Sequence, residues 1–206
     1  MKKVLLMLFV IVSLFLFWCS LKTDIFDWEN QSLGSWESVN KNFDIVDYSR
    51  DILTLMQWDK WSEMSDFAHP VKWVRFSPYT YVDLDHSMVL YPDDFQGDLN
   101  SGTFLWGYTD GAGFELIETK YNYFKKWVYS TGFLYADQIL INQKIARWNN
   151  LNNIDDVFPG AESIEYYFDW FDPQYEWLDR MSLTLVFEEY QWYYYLVWVI
   201  RGSWTI

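Results

Sequence analysis

A disulfide cannot form within this chain, because Cys19 is its only cysteine among 206 residues. The domain must therefore hold itself together by burial, and a chain of this length has enough interior to do so. Only two histidines occur, His69 and His86, and there is no CxxC or HExxH spacing, so neither a metal nor any other cofactor is expected. Positive charge is also scarce: 15 Lys and Arg stand against 29 Asp and Glu, a formal net charge of −14. Such a surface repels phosphate backbones, and no nucleic-acid partner is expected. The acidity serves solubility and is not by itself evidence of a substrate. No GxSxG and no cysteine–histidine combination offers an activated nucleophile. Glycine is scarce as well: the chain has 9, whereas about 7% of residues is usual.

What is present begins at the N-terminus. Met1-Lys2-Lys3 supplies a positive start, and Val4 to Phe17 is apolar except for Ser13. This is the layout of a secretory signal, and it falls a little short of the ~20 apolar residues that span a bilayer comfortably. Cys19 follows at once, where a lipoprotein carries the cysteine that is cut before and lipidated. Small residues normally precede that cysteine, but Trp18 stands there in Leu16-Phe17-Trp18-Cys19-Ser20. The expected organisation is a signal peptide or membrane anchor over 1–19, a linker over 20–38 and a single α+β domain over 39–206. The expected location is the outer face of the cytoplasmic membrane or the cell envelope, with lipid on Cys19 or a retained helix as the anchor.

Against 9 glycines the chain has 14 tryptophans. Several of them occupy places that favour glycine. Trp58 stands where one helix should end and another begin, a natural glycine cap. Trp170 lies in a turn, and Trp192 lies at the expected tip of a β-hairpin, where positive φ is needed. One reading covers these positions: some bacterial lineages read UGA as glycine, whereas a common alternative table translates it as tryptophan. Trp18, Trp58, Trp73, Trp148, Trp170, Trp177, Trp192 and Trp198 are the candidates for recoded glycine. Trp61, Trp106, Trp127 and Trp204 read as core or strand residues. The other reading is an aromatic-rich protein from an AT-rich genome. With glycine at 18, Leu-Phe-Gly-Cys is a good lipidation sequence.

Apolar residues Phe43, Val46, Ile52, Leu53 and Met56 recur at helical spacing between Val39 and Gln57. A second short helix is expected over Lys60–Ala68, with Trp61, Met64 and Phe67 inward, ended by His69-Pro70. Val71–Phe76 reads as a strand, Tyr79–Asp83 as extended chain and Asp85–Asn100 as a loop. Thr103–Tyr108 is a strand followed by the Asp110-Gly111-Ala112-Gly113 turn. Glu118–Val128 is helical, with Tyr121, Phe124 and Val128 on one face. Gln138–Arg147 and Ile164–Phe168 are strands. Leu183, Leu185 and Phe187 alternate with other residues as in a half-buried strand, with Tyr193–Arg201 as its hairpin partner. Helices first and a mostly antiparallel sheet afterwards make an α+β domain.

Long segments of the chain look familiar. His69-Pro70-Val71-Lys72-Trp73-Val74-Arg75-Phe76-Ser77-Pro78-Tyr79, then Tyr81-Val82-Asp83, resembles the HPxKGVRFSPYxYVD motif of a family of uncharacterised bacterial lipoproteins. Leu105 to Gly113 looks like that family's WGxYDGxG stretch. Phe171 to Glu176, Leu183 to Glu189 and the closing Trp204-Thr205-Ile206 are similar too. The resemblance covers about 39–206. It implies glycine at positions 73, 148, 170, 177, 192 and 198, and it implies no activity. The element order is similar to the cystatin-like and nuclear-transport-factor-2-like cone, in which an N-terminal helical hairpin packs on a curved, mostly antiparallel sheet.

Two function classes fit these residues. In the first, a non-enzymatic envelope lipoprotein binds a small molecule, a glycan or a protein. Arg75, inside a strand, would hold an anionic group, and Tyr79, Tyr81 and Trp106 would line the pocket. In the second, a cone-fold enzyme transfers protons with His69 or His86, oriented by Asp83 or Asp85. Each has a plain alternative: a helix-end histidine, a solvated acidic loop, an outward-facing arginine and core aromatics. A purely structural envelope component is a third class.

Overall fold

The computed structural model describes residues 44–143, 152–169, 171–175 and 178–203. Asp44–Ile206 form one compact unit. The expectations for the signal or anchor, the linker, Cys19, Trp18, Trp148, Trp170, Trp177 and Trp204 fall outside the described residues.

The fold is α+β, with a six-stranded, mostly antiparallel sheet and few helices. Helix α1 (Ile45–Gln57) starts where the Asp44 carboxylate accepts the Val46 amide at 2.8 Å. This N-cap satisfies one of the donors that a helix start leaves free. Ser49, Ile52, Leu53 and Met56 form its buried face; the last three are among those the spacing predicts, whereas Val46 is half-buried. Each fully buried apolar side chain contributes about 2 kcal/mol. The helix ends in a Schellman motif: Lys60 N–H donates to Leu55 C=O at 2.9 Å and Asp59 N–H to Met56 C=O at 3.3 Å. The left-handed residue of that motif is Asp59, with φ 56°. Trp58 has φ −95°, so the glycine-like position lies one residue later than expected.

The expected second helix is a 3-10 helix over Trp61–Phe67, which buries Trp61 and Met64. Strand β1 (Val74–Ser77) follows. The predicted loop at 85–100 contains strand β2 (Met88–Leu90) and a 3-10 turn at Pro92–Phe95. Strand β3 (Phe104–Tyr108) pairs with β4 (Glu115–Glu118) as a separate two-stranded ribbon. The helix expected from Glu118 therefore starts later. Thr119 caps α2 (Lys120–Tyr123), which continues as a π-helical turn, Phe124–Val128, with Phe124 and Val128 buried. Then come β5 (Gln138–Ile141), α3 (Ile154–Val157), β6 (Glu162–Phe168), β7 (Met181–Tyr190) and β8 (Tyr193–Ser203).

The strand order is β2-β1-β8-β7-β6-β5. All pairs are antiparallel except β1 with β8, whose register sets Arg75 against Trp198. The main core lies on the face of the sheet covered by α1 and α2, where Ile52, Leu53 and Phe124 join Phe76, Ile164, Leu183, Leu185 and Val199. The other face carries a smaller cluster: Val186, Val197, Trp198 and Ile200 pack with Val82, Ile154 and Phe158. Strand β7 is therefore buried on both faces from Ser182 to Phe187, not half-buried as the alternation predicts. Val186 and Thr184, outward by alternation, are both buried, Val186 within this second cluster.

Candidate functional site

The turn between β1 and β2 is built by one carboxylate. Asp83 Oδ1 accepts the amides of Asp85 at 2.9 Å and His86 at 3.2 Å, an Asx-type turn. Asp83 Oδ2 lies 2.8 Å from His86 Nδ1. The Asp83 carbonyl accepts the Ser87 amide at 3.0 Å and also the Ser87 hydroxyl. Burial works against the charge of Asp83, but the hydrogen bonds from the His86 ring and from the two amides outweigh it and hold the carboxyl below the ordinary carboxylate value.

Three outside supports hold this turn. Asn153 accepts the Val82 amide at 2.7 Å and donates to the Val82 carbonyl at 3.0 Å. Trp198 Nε1 donates to Ser77 Oγ at 2.8 Å, and Ser77 Oγ lies 3.4 Å from Ser87 Oγ. Arg75 Nη1 donates to the Leu84 carbonyl at 2.9 Å, with its guanidinium 5.5 Å from the centre of the Trp198 ring. Arg75 is not a lining residue of the cleft described next. It braces the turn from behind, because its register opposite Trp198 turns it to the second face of the sheet.

Across from the turn runs β3. The Trp106 ring is buried and stacks on Tyr123 at 3.8 Å, and its Nε1 donates to the Glu118 carbonyl at 3.0 Å. Gly107 has φ 131°, and a Cβ there would sit 3.3 Å from Pro78 Cγ. The glycine lets β3 pass close to the end of β1. Between the two walls lies an open cleft of about 330 Å³. Ser77 to Tyr81, Asp83, His86 and Ser87 line it from the β1–β2 turn, Trp106 to Asp110 from β3, and Ser203 from the end of β8. The Tyr108 ring stands edge-on to His86 at 5.9 Å. With Nδ1 engaged by Asp83, Nε2 is the His86 nitrogen left for a ligand.

Five of the residues singled out from sequence therefore share one cleft: Asp83, His86, Tyr79, Tyr81 and Trp106. Trp106 is wholly buried and so contributes a wall more than a contact. His69 does not join them. It lines a separate groove of about 380 Å³ with Val71, Lys72, Gly160, Glu188 and Tyr190. Its Nδ1 accepts the amides of Val71 at 3.1 Å and Lys72 at 3.0 Å. Its ring is buried beside Tyr190 and Tyr195. Burial pushes its pKa down; Glu188 opposes and Lys72 adds to that shift. A nitrogen committed to two backbone donors is not free to take a proton from a substrate.

The sequence reading missed Ser77, Ser87, Tyr108 and Asp110 as cleft residues. The only local signal was the Tyr108-Thr109-Asp110 approach to a tight turn. It also passed over Arg201. This guanidinium is buried, donates to Ser130 Oγ at 2.9 Å and lies 5.8 Å from the centre of the Phe133 ring, while its Nε has no hydrogen-bond partner. Burial lowers its pKa to about 10. Among the described residues it makes no ion pair with a carboxylate. Arg201 does not line the cleft.

Among the described residues, no group of three or more His, Cys, Asp or Glu side chains is placed to hold a metal ion, and no helix is long and apolar enough to cross a membrane. Comparison with protein-family models, curated proteins and solved structures finds no match.

Proposed function

We propose that this protein is an envelope lipoprotein, anchored through Cys19, whose domain binds a small polar ligand in the Asp83–His86 cleft without transforming it. The observation that supports binding is the chemistry of the walls. Tyrosine rings at 79, 81 and 108 flank one oriented imidazole and two carboxylates, Asp83 and Asp110. Such a surface offers ring faces to stack on and polar atoms that accept and donate, which suits a glycan or another polyhydroxylated molecule. The hydroxyls of Ser77 and Ser87 are already engaged, with Trp198 and with the Asp83 carbonyl, which favours binding over nucleophilic chemistry at these two residues. The likeness to the cone fold belongs to the same reading: the cleft would be the mouth, and the main core would fill the rest of the cone.

A second reading has its own observation. Asp83 on Nδ1 is the arrangement that orients a histidine for general base work at Nε2. In this reading the cleft performs a proton transfer on its ligand. Arg75, which would have strengthened it from inside the cleft, is turned away.

The test is NMR titration of the full-length protein with defined mono- and oligosaccharides, following the His86 ring and the tyrosine rings of the cleft. Shifts confined to those rings, absent in His86→Ala and Tyr81→Ala and unaccompanied by any change in the sugar's own spectrum, are the expected outcome. A sugar that is converted supports the proton-transfer reading. Rings that stay still across the whole set would remove the glycan reading.

A further inference from the structure

The described residues with positive φ fall into two groups. Six are glycines: Gly97, Gly102, Gly107, Gly111, Gly113 and Gly160. Five are not: Asp59, Trp73, Asn142, Gln191 and Trp192. Asp and Asn enter the left-handed region at modest cost because their short polar side chains bond locally. A large aromatic residue has no such compensation, since its Cβ crowds the adjacent carbonyl.

The local geometry makes the demand specific at each tryptophan. Tyr190 pairs directly with Tyr193, so β7 and β8 are joined by a loop of Gln191 and Trp192 alone. Both loop residues have positive φ, 49° and 73°. This is a type I′ turn, the tight connection whose twist matches the strands, and its second position strongly favours glycine. The Trp192 indole gains no burial in return, because 82% of the residue's surface is exposed. Trp73 closes a five-residue turn, its N–H donating to the His69 carbonyl at 2.8 Å, with φ 58°. Its ring meets Tyr91 at 4.2 Å, yet the backbone needs the same conformation whatever that ring touches.

Trp198, six residues after Trp192, behaves in the opposite way. It is wholly buried, donates to Ser77 and packs edge-on to Phe158. It is not among the positive-φ residues. Trp58 has an ordinary φ as well. The conformational demand thus separates two of the tryptophans from the rest of the described set.

We infer that positions 73 and 192 carry glycine in the protein as its own cells make it, the tryptophans there being UGA codons translated with the wrong table. It follows that the exposed indole at 192 is not part of any binding surface, and that the β7–β8 turn is an ordinary two-residue hairpin loop. The inference stands apart from the proposed cleft ligand and survives whether or not that ligand is right.

Peptide mass spectrometry of the protein isolated from its native cells is the direct test. The expected result is a peptide across 190–193 and another across 72–75, each lighter by the difference between an indolylmethyl group and a hydrogen. An indole mass at either position overturns the inference for that position. A second measurement needs no native cells. Full-length Trp192→Gly, made recombinantly, should melt a few degrees higher than the chain with tryptophan, because the turn is relieved and no buried contact is lost. A lower melting temperature would mean that tryptophan suits this turn and would count against the inference.

Discussion

The two histidines of this chain look alike in sequence, each close to a turn and each near acidic residues, yet the fold puts them to opposite uses. His69 is buried, and its Nδ1 is consumed by two backbone amides. His86 is more than half exposed, and its Nδ1 is held by Asp83 at the rim of an open cleft. The first acts as a structural cap that happens to be a ring. The second is oriented but left with a free nitrogen. A histidine near a carboxylate is thus not a candidate site until the partner of each nitrogen is known.

The sharpest way to break this comparison is to remove His69. His69→Ala leaves two amides without their acceptor and should cost roughly 2–3 kcal/mol in chemical denaturation. His69→Asn, whose side-chain oxygen takes the place of Nδ1, should recover much of that. A His69→Ala protein of unchanged stability would mean that the cap is dispensable. Next in size is a pH effect. Burial holds the folded pKa of His69 below the ordinary 6.5. In the pH range just below 6.5 the unfolded chain therefore binds the proton and the folded one does not. Stability should be full above 6.5 and decline as pH falls through the folded value, and that part of the decline should vanish in His69→Asn. Equal slopes in the two proteins would contradict the assignment.

His86 should give the reverse pattern. His86→Ala is expected to change stability by no more than ~0.5 kcal/mol, as for exposed residues. The same change should lower the affinity for a cleft ligand about tenfold, the worth of one good hydrogen bond. A large loss of stability would show that the Asp83–His86 pair is structural after all. The smallest effect concerns Asp83. Its carboxyl should titrate below the ordinary 3.8 when followed by carbon NMR, and its midpoint should rise in His86→Ala, where the ring hydrogen bond is gone. Because its folded pKa is lowered, the stability Asp83 contributes is present above 3.8 and is lost as pH falls through the folded value. The side chain is about half exposed, so solvent screens most of that contribution.

Much of the fold was legible where one element carries its own period. The buried face of α1 and the β7–β8 hairpin follow directly from spacing and alternation. Short elements whose neighbours are distant were not. β2 has three residues and owes its existence to pairing with β1, while β4 is fixed by the ribbon with β3. The helix ends at Gln57 as expected, but its left-handed residue is Asp59 and not Trp58, because a Schellman motif is defined by backbone bonds and not by the size of a side chain. For the site, five residue choices converge on one cleft, while Arg75 and His69 lie outside it. Strand alternation says that two faces exist and not which of them is covered. Here the second face is covered by Val82, Ile154 and Phe158, and Arg75 lies on that side.

What the sequence alone determined is local: the α+β class, the acidic surface, the absence of a disulfide, and the misfit of tryptophan at places that favour glycine. These depend on short spacings and on the intrinsic preferences of single residues. Only the tertiary structure decided the rest. It brought β1 alongside β8 in parallel, set the Asp83–His86 turn across from β3, and buried the His69 ring beside Tyr190 and Tyr195. It also separated Trp192, strained and exposed, from Trp198, buried and bonded. Each of those outcomes depends on which distant segment arrives to pair with a polar group or cover an apolar one, and that is settled by packing across the sheet.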